Sequence, residues 1–386
     1  MSYFYQKQCY LAQISVIIVN YNAQYFLKNC IGSILKSVGV PELEIIVVDN
    51  HSTDGSCELL KACFPKLKLI PNDHNEGFSK GNNRGVSAAK GTYVLLLNPD
   101  MILAEDTIKQ LYEFVKMTPD AGAVGVQLID GSGHFLPESK RNFPDLKVAG
   151  LKLLGFSKKY YARHIEQDEK AQVDILTGAC MFMKKSVYDK VGGFDEDFFM
   201  YGEDIDLSYR ISKAGYKNYY LGNQVLLHYK GESTLKDKTH FRNFYGAMRI
   251  FYKKHFKSGF IGTALMDLMV AGMIFIRSNA IHRPEHGMDT CKTWIYAGNN
   301  ESIFYQLKKR FPDMAGSMID EPSERGLETD MLFFDSNVLS YKQIITCFAL
   351  QKDLVPRKRI ISEDGTYYLG SDTAYDRGEV VFFEGS

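Results

Sequence analysis

Three stretches of the sequence carry side chains suited to a phosphate-bearing substrate. Asp100 follows the apolar run YVLLL and the turn Asn98-Pro99. A carboxylate at the end of a buried strand sits at a sheet rim, where a hard cation can bridge it to two phosphates. Mn2+ and Mg2+ suit such a site, because they take a few oxygen ligands and let the phosphates complete the shell. The same aspartate could instead be an ordinary turn or helix-capping residue. Glu203-Asp204 lies in GGFDEDFFMYGEDIDLSYR, where acids and aromatics interleave. Adjacent carboxylates beside an aromatic loop can supply a general base in a partly desolvated pocket. Acids in a first helical turn also simply suit the helix dipole. Asp206 and Arg210 are spaced to pair on a helix surface, and Arg210 could equally reach a diphosphate. His228 closes VLLH, either as a strand-end metal ligand or as an ordinary half-buried side chain.

These residues need a frame that brings them together. Residues 14–19, 44–49, 67–70 and 93–97 read as continuous apolar strands, and residues 24–37, 54–63 and 79–90 as helices between them. That alternation predicts a parallel sheet covered on both faces. Polar residues gather where the strands end: Asn20-Tyr21-Asn22, Asp49-Asn50 and Asn98-Pro99-Asp100. In open α/β sheets the ligand crevice lies at those carboxyl ends, although Asn and Asp also favour turns for their own sake. Further on, residues 105–117 and 203–214 read as helices. Residues 122–128, 174–184, 216–221 and 225–229 read as strands, and residues 140–168 as a basic, aromatic loop able to hold an acceptor. Helical residues 238–256 and 261–276 follow.

The 386 residues carry 46 Lys plus Arg against 46 Asp plus Glu. With charge balanced, nothing points to nucleic acid, and phosphate recognition must be local. The seven cysteines include no CxxC pair, which suggests free thiols in a reducing compartment. The first residues lack an apolar signal region, so a cytoplasmic enzyme is expected. Residues 259–276 (GFIGTALMDLMVAGMIFI) are apolar apart from Asp267 and Thr263, and the basic residues Arg249, Lys253, Lys254 and Lys257 precede them. A central acid costs about 2.5–3.5 kcal/mol in a span, which favours a helix lying on the cytoplasmic membrane face over one crossing it. A buried connecting helix is the alternative.

Taken in order, VIIVNYN (16–22), VVDNHSTDGS (47–56), NEGFSKGNNRG (75–85), LLLNPDM (95–101), TGACMFMKK (177–185), GGFDEDFFMYGEDIDLSYR (192–210) and LLHYKGES (226–233) resemble the motifs of the family 2 inverting glycosyltransferases. The likeness is to their bacterial rhamnosyltransferase-like branch. The resemblance implies a GT-A fold, α/β with a mostly parallel central sheet, a nucleotide-sugar donor, a glycan or lipid-linked acceptor and a divalent cation, Mn2+ or Mg2+. It implies donor contacts at Asn20, Tyr21, Asp49, Asn75, Gly77, Phe78, Asn82, Asn98 and Arg210, with Asp49 on the base. It implies Asp100 and His228 as metal ligands, and Asp204 as catalytic base with Glu203 beside it. Asn98 departs from the pattern, standing where the family often has the first aspartate of its DxD motif.

The expected organisation is a transferase domain over residues 1–240, a helical linker over 241–287 and a small Rossmann-like α/β unit over 288–386. This last unit is outside the resemblance and is expected to fold separately. Gly298-Asn299-Asn300 could cradle a ligand there but lacks GxGxxG spacing, so a tight turn is the simpler reading. Two other classes are open. A sugar nucleotidylyltransferase would need a glycine-rich phosphate loop after the first strand, which VIIVNYNAQYFL lacks. A non-catalytic sugar-nucleotide-binding or scaffolding protein would accommodate Asn98 but not the intact acids.

Overall fold

The computed structural model describes residues 13–143, 160–230, 238–256, 267–268, 270–274, 291–322, 326–373 and 378–384. The first four strands are β1 (Ile14–Asn20), β2 (Leu43–Asp49), β3 (Lys68–Pro71) and β4 (Tyr93–Leu97). They pair in parallel in the order β3-β2-β1-β4. Alternate residues of β1 enter different cores. Val16 and Ile18 pack with α1 (Gln24–Leu35) and α4 (Thr107–Met117), whereas Ile17 packs on the opposite face. Burial on both faces is why these strands read as unbroken apolar runs. Between α1 and α4 in the chain come α2 (Ser56–Cys63) and α3 (Gly77–Ser87). α3 lies close on the sheet because it presents glycines to it. A Cβ on Gly85 would stand 2.4 Å from Ile17 Cγ2, and one on Gly81 2.8 Å from Val19 Cγ1.

The sheet continues through β5 (Met101–Ile102), β6 (Ala121–Ile129), β7 (Lys170–Val173), β8 (Cys180–Lys184) and β9 (Lys217–His228). β8 runs antiparallel between β4 and β6, while β6 and β9 point the same way as β1–β4. The sheet is therefore mostly parallel, as expected. Two details differ from the sequence reading. The strand expected over 174–184 is shorter, β8 alone, because residues 174–179 leave the ladder and turn at Gly178-Ala179. The two strands expected at 216–221 and 225–229 are one, with a register shift against β6 that absorbs the polar break at Gly222-Asn223-Gln224. Helices α5 (Lys185–Lys190), α6 (Glu203–Lys213) and α7 (Lys238–His255) complete this part.

A second sheet has the order β11 (Ala315–Ile319), β10 (Thr293–Ala297), β12 (Met331–Asp335), β13 (Arg357–Ile361), β14 (Tyr367–Gly370) and β15 (Glu379–Phe382). Its first four strands are parallel, with α8 (Glu301–Arg310) and α9 (Tyr341–Leu350) among the connections. β11 was not legible because Gly316 and Ser317 interrupt its apolar pattern. The turn at Gly298 does what the simpler reading asked: Asn300 caps α8, accepting from Ser302 N and Ile303 N.

This unit does not stand apart from the first. Phe26, Ile102, Leu227 and Tyr229 share one buried cluster with Leu332, Phe334, Tyr341 and Phe348. Tyr367 Oη donates to Asn29 Oδ1 at 2.9 Å in the buried seam, and Lys36 Nζ to Ser336 O at 2.6 Å. Helix α1 thus lies against the carboxyl ends of β12 and β13, where a Rossmann-like sheet would otherwise open its crevice. Periodicity shows which residues are apolar, but not that the apolar surfaces of two units face each other.

Of the apolar run 259–276, residues 267–268 and 270–274 lie within the described part, and they are helical. Asp267 there accepts from Arg249 Nη2 at 2.8 Å, with Lys253 3.9 Å away. Among the described residues no helix is long and apolar enough to cross a membrane.

Candidate active site

Strand register assembles the first rim. Asn20 and Asp49 are direct partners at the ends of β1 and β2. Asn20 Nδ2 donates to Asp49 Oδ1 at 2.8 Å, and Ser52 N to Asp49 Oδ2 at 2.8 Å. Asp49 is buried, and Asn20 Oδ1 is buried without a partner among the described residues. Tyr21 stands exposed at the same edge. Next along the rim, Asn72 Nδ2 donates to Asn50 Oδ1 at 2.8 Å and Asn50 Nδ2 to Gly77 O at 2.9 Å. Asn75 Oδ1 accepts from Gly77 N at 2.9 Å. Gly77 has φ +85°, and a Cβ there would lie 2.4 Å from Phe199 O, so the turn opening α3 requires glycine.

The second rim is built by β5 against β9. Their register sets Met101 opposite His228, which draws in Asp100. His228 Nε2 lies 3.4 Å from Asp100 Oδ1 and 3.3 Å from Asn98 Nδ2. Lys230 N donates to Asp100 Oδ2 at 3.0 Å. His228 and Asp100 are both buried, and His228 Nδ1 lacks a partner among the described residues. One carboxylate and one imidazole fit a cation that completes its shell with diphosphate oxygens and water. They do not fit one held by protein alone. Among the described residues no group of three His, Cys, Asp or Glu side chains is placed to hold a metal ion.

The carboxylate pair occupies the first turn of α6 and is tied to the second rim by the turn between β7 and β8. Asn98 N donates to Ala179 O at 2.9 Å, and the neighbouring Gly178 N donates to Asp204 Oδ2 at 3.1 Å. A Cβ on Gly178 would lie 3.4 Å from both Asp204 Cβ and Phe78 Cε1, so Phe78 and Asp204 close in from its two sides. The buried Arg141 is the decisive neighbour. Its Nη2 donates to Asp204 Oδ2 at 2.6 Å, and its Nη1 to Tyr160 Oη at 3.2 Å. Such charge-assisted bonds are the strong kind. Glu203, 7% exposed, has no partner for Oε2 among the described residues. Burial, and then the neighbouring Asp204 carboxylate, push its carboxyl up to about 8.

Two expected donor contacts are occupied with structure. Asn82 Nδ2 donates within its own helix to Phe78 O at 3.0 Å. Arg210 Nε donates to Asp206 Oδ2 at 2.6 Å, the helix pairing its spacing allowed, and its Nη1 bonds Val191 O at 2.5 Å. Sequence reasoning named neither Arg141, Asn72 nor Asn83. Asn83 latches the aromatic loop: its Nδ2 donates to Phe194 O at 2.9 Å and its Oδ1 accepts from Tyr188 Oη at 2.6 Å. A buried pair of acids calls for a buried cation, but nothing in the sequence singles out Arg141 as that cation.

The profile of "Glycosyl transferase family 2" matches residues 15–192, and that of "N-terminal domain of galactosyltransferase" matches residues 158–230. The chain is 30% identical over 243 residues to the N-acetylglucosaminyl-diphospho-decaprenol L-rhamnosyltransferase of Mycobacterium tuberculosis, covering 58% of this chain and 78% of that protein. It is 28% identical to rhamnosyltransferase WbbL of Escherichia coli, covering 56% and 83%. Among solved structures, the mannosyltransferase PcManGT from Pyrobaculum calidifontis in complex with GDP-Man and Mn2+ superposes with a TM-score of 0.47 at 17% identity, covering 72% of this chain and 78% of that one.

Proposed function

The chain belongs to glycosyl transferase family 2, in its rhamnosyltransferase-like branch, and on that footing we propose which transfer it performs. It moves a hexosyl or rhamnosyl group from a nucleoside-diphosphate sugar to a hydroxyl of a lipid-linked glycan, with inversion, during polysaccharide or cell-envelope glycan assembly. The work is done in the cytoplasm, beside the membrane that carries the acceptor. The names of the mycobacterial and enterobacterial relatives support this choice of sugar, and the first name also supports the acceptor.

In this reading the rim of Asn20, Asp49 and Tyr21 takes the nucleoside. Asn75, Gly77 and Phe78 shape the turn beside it. Asp100 and His228, with Asn98, would hold Mn2+ or Mg2+ against the diphosphate, where such an ion offsets the charge of the leaving group. Asp204 takes the proton of the acceptor hydroxyl as that oxygen attacks the anomeric carbon. The diphosphate leaves from the opposite side, so the configuration inverts without a covalent intermediate. Arg141 and Gly178 N fix the carboxylate in place. The observation that supports this reading is the two-residue bridge from Asn98 through Ala179 and Gly178 to Asp204.

The test is Asp204→Asn. Nucleoside diphosphate release with acceptor should fall by about 10²–10⁴, the usual reach of general-base catalysis. Donor affinity, measured by calorimetry, should change little. Near-normal turnover would remove Asp204 from the role and move it to Glu203.

A further inference from the structure

The carboxylates of α6 open into a pocket whose other wall is α7. Arg141, Glu203 and Asp204 form its polar side, while Tyr201, Phe244 and Tyr252 give it an aromatic side, with Met248 between. α7 begins at Lys238 and lies beyond both matched segments, which end at residues 192 and 230. It is nonetheless held firmly against α6. Asp206, wholly buried, faces His255 Nε2 at 2.6 Å and Lys254 Nζ at 3.1 Å, besides Arg210. At the turn into α6, a Cβ on Gly202 would lie 3.1 Å from Ala247 Cβ, so helix and turn touch.

Two buried polar atoms of the pocket residues have no partner among the described residues: Glu203 Oε2 and Arg141 Nε. Leaving buried polar groups unsatisfied is costly, so their presence points to an occupant with complementary polar groups. The aromatic side asks that the same occupant have an apolar face. A pyranose ring has both, with C–H groups on its faces and hydroxyls around its edge.

We propose that this pocket receives the sugar ring of the acceptor, one face against the aromatic wall of α7, with Glu203 hydrogen-bonded to a hydroxyl or acetamido group next to the reacting one. α7 then sets acceptor selectivity. The inference rests on the transferase reading and specifies its second substrate. Glu203 orients and Asp204 reacts. At neutral pH Glu203 carries the proton needed to donate that hydrogen bond, since burial, and then Asp204, raise its carboxyl to about 8.

The experiment measures binding of octyl glycosides of N-acetylglucosamine, glucose, galactose, mannose and rhamnose to the full chain by calorimetry. At least one should bind the wild type. Met248→Trp, which fills the pocket, should weaken it by about tenfold or more. Phe244→Ala, a milder change, should weaken it several-fold and guards against a fold lost to the larger side chain. Wild-type affinity should decline as pH rises through about 8. Glu203→Gln, a permanently neutral isostere, should remove that decline. Failure of the whole panel to bind, or binding indifferent to both α7 variants, overturns the pocket assignment. Donor binding is measured separately with UDP-, GDP- and dTDP-sugars. Its absence would overturn the proposed function itself, whereas donor binding without glycoside binding overturns the pocket alone.

Discussion

Glu203 and Asp204 are adjacent in sequence and chemically divided by their surroundings. Asp204 has a guanidinium and two backbone amides, from Gly178 and Ile205; Glu203 has burial and a neighbouring negative charge. This asymmetry has a thermodynamic signature. With its folded value raised from 4.5 to about 8, Glu203 holds a proton in the folded chain that the unfolded chain releases. Its stabilising contribution is therefore complete below about pH 4.5 and is lost as pH rises through about 8. Melting temperatures recorded across that window should fall with pH more steeply for the wild type than for Glu203→Gln. Equal slopes would place the proton elsewhere. At the second rim, Asp100→Ala should weaken donor binding in Mn2+ by about tenfold or more and should leave it insensitive to EDTA. Unchanged metal dependence would dissociate Asp100 from the cation. Asp100 and His228 were legible in sequence because each ends an apolar strand and strand ends converge. Arg141 was not, since no spacing rule connects it to an acid 63 positions away.

Among the elements, α3 and α7 are positioned by opposite means. α3 approaches the sheet through the absence of side chains at Gly81 and Gly85. Gly85→Ala should cost about 1–3 kcal/mol in urea unfolding, because Ile17 is a packed core residue with little room to yield. α7 is held by charge. Asp206→Asn should leave its cations facing a neutral amide and cost about 3–5 kcal/mol. The same change should accelerate proteolysis within α7 before the rest of the chain is cut, whereas uniform digestion would mean that the helix is held by its apolar face alone. The basic residues that suggested a membrane-binding surface are largely engaged in such pairs: Arg249 and Lys253 with Asp267, Lys254 with Asp195 and Asp206. Composition displayed their charge but not its partners. The parallel half of the sheet was readable because burial on both faces leaves an unbroken apolar run. Strands with one polar interruption, such as β9 and β11, were divided or missed for the same reason.

For the molecule as a whole, the sequence suggested a separable second unit, and the shared core argues for an integral one. Ile102, Leu227 and Tyr229 adjoin Asp100 and His228 in the chain and bury themselves among Leu332, Phe334 and Phe348. Ending the chain after residue 290 should therefore expose the back of the Asp100–His228 rim, and the shortened protein should aggregate or lose donor binding. A shortened chain that is monomeric and fully active would show that the contact is dispensable. Within the full chain, Tyr367→Phe, which deletes the buried bond to Asn29, should cost about 1 kcal/mol in urea unfolding without altering donor affinity.

That seam also fixes an order in time. Tyr367 meets Asn29 across 338 positions of chain. A nascent polypeptide that has already emitted every motif through His228 still lacks the cover over its β5–β9 edge. Competence to consume donor should thus arrive late in synthesis and abruptly. In a series of ribosome-stalled chains of increasing length, nucleotide-sugar binding should begin once residues 367–370 have left the exit tunnel. Fragments released early would then spend none of the cell's activated sugar.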